Sequence, residues 1–159
     1  MELRGFDGDQ AVVAGWATSA QEVALLSGRN EFPFPVELRQ NWRNEADDVE
    51  AYLYYVNGAA VGYAELWLDD EEDEVEVARV IVRPEARGRG IGTAFVRALL
   101  GPALDAGYAD VFLRVRPDNV PALRTYRRVG FELVPAELAD EWNKDQPLPY
   151  TWMQYPKPG

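Results

Sequence analysis

Seven consecutive residues, Arg87-Gly88-Arg89-Gly90-Ile91-Gly92-Thr93, have the composition of an anion-binding turn. Glycine lets the backbone bend tightly and removes side chains that would block a ligand. An apolar, strand-like run over 77–82 precedes the turn, and a helix-like run over 94–100 follows it. The first turn of a helix has unpaired N–H groups and carries the positive end of the helix dipole. Strand, glycine turn and helix start therefore predict a site for an anion, most often a phosphate. Arg87 and Arg89 add positive charge to it; standing alone, they would be read as two solvated surface charges.

The rest of the chemistry is narrowed by absences. The 159 residues include no cysteine and no histidine. This excludes disulfides, thiol nucleophiles, Ser-His and Cys-His triads and nearly all zinc sites. Lys144 and Lys157 are the only lysines. Acid–base chemistry is left to carboxylates and tyrosines. The net charge of −11 argues against sequence-independent nucleic-acid binding. Residues 45–78 hold twelve Asp/Glu and no Lys/Arg, whereas 79–128 hold ten Arg and four Asp/Glu. A polyanionic ligand is expected on the second stretch and a cationic one near the first, although Asp69 to Glu74 also reads as a solvated hairpin loop. One domain over 1–159 is expected, with no membrane span and no metal site. Met1-Glu2-Leu3-Arg4 opens no signal peptide, because no apolar run follows, and the lack of cysteine fits a cytoplasmic setting.

These groups must be positioned by a mixed sheet with helices. A strand is expected over 2–4 and helices over 9–17, 19–27 and 36–44, with Ser19 and Glu22 as a capping box. The segment 31–35 breaks the chain between the second and third. Strands over 51–56, 60–68 and 75–82 read as an antiparallel meander, its first turn set by Asn57-Gly58. A helix over 92–106 is ended by Gly107, a strand follows over 110–115, and a helix over 119–129 is closed by Gly130. Late strands over 131–134 and 150–155 flank a Pro-containing loop with a helical turn at 136–142. The class is α/β, or α+β with a mixed sheet, in one domain.

The Walker P-loop fails here, since no Gly-Lys-Ser/Thr occurs. The Rossmann fingerprint fails too, because the glycines run G-x-G-x-G late in the chain. The run from Val80 through Arg83-Pro84-Glu85-Ala86 to Gly92 instead resembles the acetyl-CoA motif of the GCN5-related N-acetyltransferases, Gln/Arg-x-x-Gly-x-Gly/Ala, filled by Arg87, Gly90 and Gly92. A second segment matches as well: Asn119, Ala122 three on, Tyr126 seven on, then Gly130-Phe131. The two motifs span 80–131, and the order of elements fits over most of the chain.

The resemblance implies an acetyl-CoA-dependent N-acetyltransferase with a mostly antiparallel sheet, splayed at the coenzyme and flanked by helices. Backbone N–H groups of Gly88, Arg89, Gly90, Ile91, Gly92 and Thr93 would hold the pyrophosphate. The pantetheine arm would pair like a strand with Val80, Ile81 and Val82, which requires the 110–115 strand to diverge. Asn119 and Ala122 would contact the coenzyme; Arg83, Arg124, Arg127 and Arg128 are either surface residues or partners of its ribose phosphate. Tyr126 lies two helical turns from Asn119 on one face, with small Ala122 between them leaving room for a ligand. The family's tyrosine at this position protonates the leaving thiolate; periodicity alone makes Tyr126 an ordinary core residue. Glu76 matches the glutamate used as base by the histone acetyltransferase members, and regular β alternation puts it on the face of Val80. Glu76 also reads as the last exposed acid of its run. Glu65, sharing a face with Tyr63 and Trp67, is the rival base, and water a third. A backbone N–H near Val80 or Ile81 would stabilise the oxyanion.

The family's acceptor site matches Trp16, 32–35, Trp42, 52–55 and 142–152. Aromatic and acidic lining suits a cationic amine, while ordinary core packing accounts for many of the same aromatics. The acceptor would be a small molecule or a peptide. Other readings are a non-catalytic acyl-CoA-binding sensor or interaction module with the same fold, and transfer of another short acyl group. Homodimers are frequent in the family.

Overall fold

Asn57 and Gly58 both adopt positive φ, 53° and 81°, and join the first long strands as expected of an Asn-Gly turn. The computed structural model describes residues 2–5, 13, 15–16, 49–144, 146 and 149–156. The strands are β1 (Glu2–Gly5), β2 (Val49–Val56), β3 (Ala59–Asp69), β4 (Glu74–Val82), β5 (Asp110–Val115), β6 (Glu132–Leu133) and β7 (Thr151–Gln154). The helices among the described residues are α1 (Ile91–Asp105), α2 (Val120–Val129) and α3 (Ala136–Asn143), with a 3-10 turn at Pro84–Ala86. The helix expected over 9–17 is described only at Val13, Gly15 and Trp16. Those over 19–27 and 36–44, the 31–35 break and Trp42 lie outside the described residues.

The strands form one open sheet in the order β1-β2-β3-β4-β5-β7-β6. Every pairing is antiparallel except β4 with β5. That parallel ladder stops after Glu74–Asp110, Val75–Val111 and Glu76–Phe112, so β4 and β5 part beyond Glu76. The expected splay is present.

Helix α1 starts behind Gly90 and stops before Gly107, both at positive φ. Its buried residues Phe95, Val96, Leu99, Leu100 and Ala103 pack against Val75, Val77, Val111 and Leu113 of the sheet. Ala122, Leu123 and Tyr126 of α2 cover the same face. The opposite face holds two smaller clusters, one of Val13, Trp16, Leu53, Tyr63 and Ile81, the other of Phe112 and Trp152 under Trp142 of α3. The acidic β3–β4 loop is more than a solvated loop. Asp70 accepts a hydrogen bond from the Tyr108 hydroxyl, and Asp73 accepts one from the Ala109 N–H at 3.0 Å, tying the loop to the entry of β5.

Gly62 shows how closely α1 sits on the sheet. A Cβ at Gly62 would lie 2.6 Å from the fully buried Phe95 ring, which is itself stacked on Tyr54 across the ladder, with centroids 5.1 Å apart. Gly62→Ala should therefore destabilise the fold by about 1–3 kcal/mol through overpacking. A fall in the denaturant midpoint with unchanged slope is the expected result.

Candidate active site

A cleft of about 600 Å³ opens where β4 leaves β5, between the end of β4, the glycine turn and α2. Its lining includes Val80, Ile81, Val82, Arg87, Gly88, Gly90, Gly92, Thr93, Asn119, Ala122 and Tyr126. The two sequence segments, about thirty residues apart, thus meet in one cavity. Gly88 and Gly90 take φ of 78° and 76°, a left-handed conformation that suits glycine. The first α1 bond runs from the Ala94 N–H to the Gly90 carbonyl, and among the described residues no side chain caps the helix. Among the described residues, the N–H groups from Gly88 to Thr93 have no acceptor. The β4 edge beyond Glu76 likewise has no β5 partner. A row of unpaired donors, a helix N-terminus and an open strand edge therefore share one cavity.

Not every expected residue reaches it. Arg89 is exposed and lies outside the lining, and Ile91 packs against the α1-side core. Arg87 lines the cleft, yet its Nε donates to the Val82 carbonyl at 2.8 Å and its Nη2 to the Trp16 carbonyl at 3.1 Å. Its guanidinium thus ties the end of β4 to residue 16. The cationic lining is completed by Arg124 and Arg128, with Pro121 and Thr125 beside them. Arg83 pairs with Glu85 instead, and Arg127 is outside the lining. Pro121 and Thr125 were legible in principle: positions 121, 125 and 128 follow i, i+4, i+7 spacing on α2.

Asn119 caps α2, its Oδ1 accepting from the Ala122 N–H at 3.3 Å. The capping leaves its amide nitrogen for the cleft. Tyr126 is half-buried, its ring edge-on to Phe131 at 6.1 Å. Its hydroxyl has no hydrogen-bond partner among the described residues, and burial pushes it up to about 12. Tyr126 is therefore an O–H donor across the neutral range. Tyr52 is also pushed up to about 12, by burial and then by the hydrogen bond to Glu50. Since both folded values exceed the ordinary 10, their contribution to stability is full below pH 10 and is lost as pH rises through about 12. The urea midpoint should fall across that window, and less steeply in Tyr126→Phe.

The carboxylates are placed differently from the expectation. Tyr63 and Ile81 are partners, and so are Glu65 and Ala78, so β4 carries one extra residue between these pairs. Arg79 takes φ of 54° in this bulge. The bulge reverses the alternation: Val75, Val77, Val80 and Val82 face α1, whereas Ile81 belongs to the cluster on the other face. Glu76 therefore does not share the face of Val80, correcting the expectation from regular alternation. Nor is it exposed: Arg114 Nε donates to its Oε2 at 2.8 Å and Nη2 to its Oε1 at 2.9 Å. Burial pulls the Arg114 guanidinium down, but hydrogen bonds and charge from Glu76 outweigh it and hold it above its ordinary value. Glu65 is fully buried and does share a face with Tyr63 and Trp67. It accepts from the Tyr63 hydroxyl at 2.6 Å and Trp67 Nε1 at 2.7 Å, with Arg79 Nη1 at 3.5 Å.

The expected aromatic wall divides. Tyr54 is core beneath α1, and Trp16 is buried among Val13 and Leu53. Trp142, Tyr150 and Trp152 form one cluster with Phe112. Asn143 organises it, accepting from Trp152 Nε1 at 2.7 Å and the Tyr150 N–H at 3.1 Å. Among the described residues no group of acidic side chains could hold a metal ion, and no helix is long and apolar enough to cross a membrane.

Comparison with known proteins agrees with this geometry. An uncharacterized N-acetyltransferase of Methanocaldococcus jannaschii is 35% identical over 96 residues, covering 57% of this chain and 42% of that protein. A mycothiol acetyltransferase of Clavibacter sepedonicus is 38% identical over 146 residues, covering 82% of this chain and 47% of that one. The chain thus spans less than half the length of these curated relatives. Among solved structures, an aminoglycoside acetyltransferase in complex with coenzyme A and kanamycin superposes with a TM-score of 0.73 at 20% identity, covering 98% and 94% of the two chains. A spermidine N-acetyltransferase from Vibrio cholerae with CoA and spermine gives 0.66 at 16% identity, covering 84% and 81%. The profile of the acetyltransferase (GNAT) family matches residues 17–131, and with both motifs meeting in one cleft beside a splayed sheet, the chain belongs to that family.

Proposed function

We propose that the chain is an acetyl-CoA-dependent N-acetyltransferase acting on a primary amine of a small molecule or peptide. The single observation that carries this reading is the convergence of the unpaired N–H turn, the open edge of β4 and the Tyr126 hydroxyl in one cleft. The residues fit the coenzyme. The 88–93 amides supply donors for a pyrophosphate, Arg124 and Arg128 supply charge at the rim, and Val80 to Val82 offer main-chain groups to an extended arm. Acetyl-CoA brings the activated acyl group. The N–H groups about the β4 bulge supply donors where negative charge develops, and the Tyr126 O–H donates to the departing sulfur. We assign no base role to Glu76 or Glu65, because the first is held at both oxygens by Arg114 and the second by Tyr63, Trp67 and Arg79. The amine proton passes to solvent. Neither Glu76→Gln nor Glu65→Gln should then move the acidic limb of the pH–rate profile; a displaced limb in one variant would identify that carboxylate as the base.

The solved relatives with spermine and kanamycin, together with the net charge of −11, support a cationic amine acceptor. The absence of cysteine supports a cytoplasmic setting. The test is release of free thiol from acetyl-CoA against a panel of polyamines, aminoglycosides and peptides, with the melting temperature followed in parallel. Acetyl-CoA should raise the melting temperature by several degrees at about 100 times its Kd. No shift at millimolar acetyl-CoA would remove the coenzyme site. A shift without thiol release for any amine would make the chain an acyl-CoA-binding module.

A further inference from the structure

Glu76 and Arg114 sit where the sheet opens. The β4–β5 ladder ends at Glu76 opposite Phe112, and the next pair on that face would be Ala78 opposite Arg114. That backbone pair is not made. The Arg114 side chain instead reaches back across the parting strands and grips Glu76 through two hydrogen bonds of 2.8 and 2.9 Å. Its third nitrogen, Nη1, donates to Gln146 Oε1 at 2.9 Å. The guanidinium also lies over the rings of Trp152 at 4.9 Å and Tyr150 at 5.5 Å. All of these groups lie on the face away from α1, and neither Glu76 nor Arg114 lines the cleft.

We propose that the Glu76–Arg114 pair is a pin that fixes how far β4 and β5 diverge, and so sets the width of the cleft. The inference rests on the coenzyme-binding reading above. A planar guanidinium bound at both oxygens of a carboxylate fixes distance and angle together, which a single contact cannot do. Burial shields the pair from solvent screening. Beyond Glu76 and Phe112 the two parting edges make no ladder with each other, and main-chain N–H and C=O groups on facing strand edges pair readily when brought together. Without the pin the gap has two arrangements, open and zipped, and a ligand that enters only the open one binds more weakly in proportion to its population. Glu76 and Arg114 are thus positioning residues, acting on the coenzyme through the strands.

The experiment measures the Kd for coenzyme A by calorimetry, alongside the melting temperature, in wild type, Glu76→Gln, Arg114→Gln, Arg114→Lys and the double variant Glu76→Gln/Arg114→Gln. Arg114→Lys retains charge but loses the fork, and should weaken coenzyme A binding about tenfold. The double variant should be no weaker than the weaker single variant, because both remove one device. Wild-type affinity in Arg114→Lys with only a lowered melting temperature would overturn the proposal, as would losses that add in the double variant. Hydrogen exchange without ligand gives a second readout. The amides of Ala78 to Val82 should change protection in Arg114→Lys, and unchanged protection would also overturn it. Failure of wild type to bind coenzyme A would instead count against the proposed function, and the exchange result would still decide whether the pin exists.

Discussion

Gly92→Leu should abolish coenzyme A binding and leave the fold intact. A Cβ added at Gly92 meets only Thr125 Cγ2 and Val82 Cγ2, each at 3.9 Å, which is ordinary van der Waals distance. Gly92 is in the first turn of α1, where a side chain costs the helix nothing. Yet all three residues line the cleft, so a leucine grows into the space between α2 and β4. The melting temperature of the apo protein should stay within a few degrees of wild type. The rise caused by coenzyme A should vanish, corresponding to a loss of about a hundredfold or more in affinity. Gly90→Ala provides the contrast. At φ of 76° any side chain is strained, so that variant should lose stability as well as affinity. If Gly92→Leu still binds coenzyme A normally, the ligand does not occupy this cleft.

Tyr126→Phe should lower kcat by about 10²–10³-fold, the range seen when one donor to developing negative charge is removed. The Kd for acetyl-CoA should change by no more than a few-fold, because the ring and its packing on Phe131 remain. With the hydroxyl pushed up to about 12, Tyr126 does not titrate in the working range. The pH–rate profile of the variant should therefore keep its limbs and lose only height. Pre-steady-state measurement of thiol release, compared with acetyl-CoA affinity, separates the two effects. An unchanged kcat would make Tyr126 a packing residue.

What could be read from the chain was what depends on local backbone requirements. Asn57-Gly58, Gly88, Gly90, Gly107 and Gly130 each mark a bend, and all six residues have positive φ in the structure. From residue 49 onward, helix and strand limits among the described residues therefore fell within a residue or two, and Asn119, Ala122 and Tyr126 converged on the glycine turn as helical spacing required. What could not be read depends on exceptions and on distance. Arginine seldom takes positive φ, so nothing at Arg79 announced the bulge, and counting by twos along β4 put Glu76 on the wrong face. Arg114 is 38 residues from Glu76, and no local pattern joins them. Tyr54 looked like part of a binding wall because aromatic residues suit binding surfaces and cores alike; its stacking on Phe95 became visible only once α1 was placed.

The additional residue in β4 also constrains how this strand can vary. Deleting Arg79 would remove the bulge and leave every downstream partner in place, with Val80 opposite Ala64, Ile81 still opposite Tyr63 and Val82 still opposite Gly62, so each keeps the face it has now. Exchanging Arg79 for glycine relaxes its backbone but removes the guanidinium that pairs with the fully buried Glu65 at 3.5 Å. Chemical character, more than length, is thus the quantity to preserve there: loss of one residue at 79 leaves the packing of Val80, Ile81 and Val82 unaltered, whereas any change at 79 that removes the positive charge should destabilise the fold by stripping the buried Glu65 carboxylate of that counter-charge.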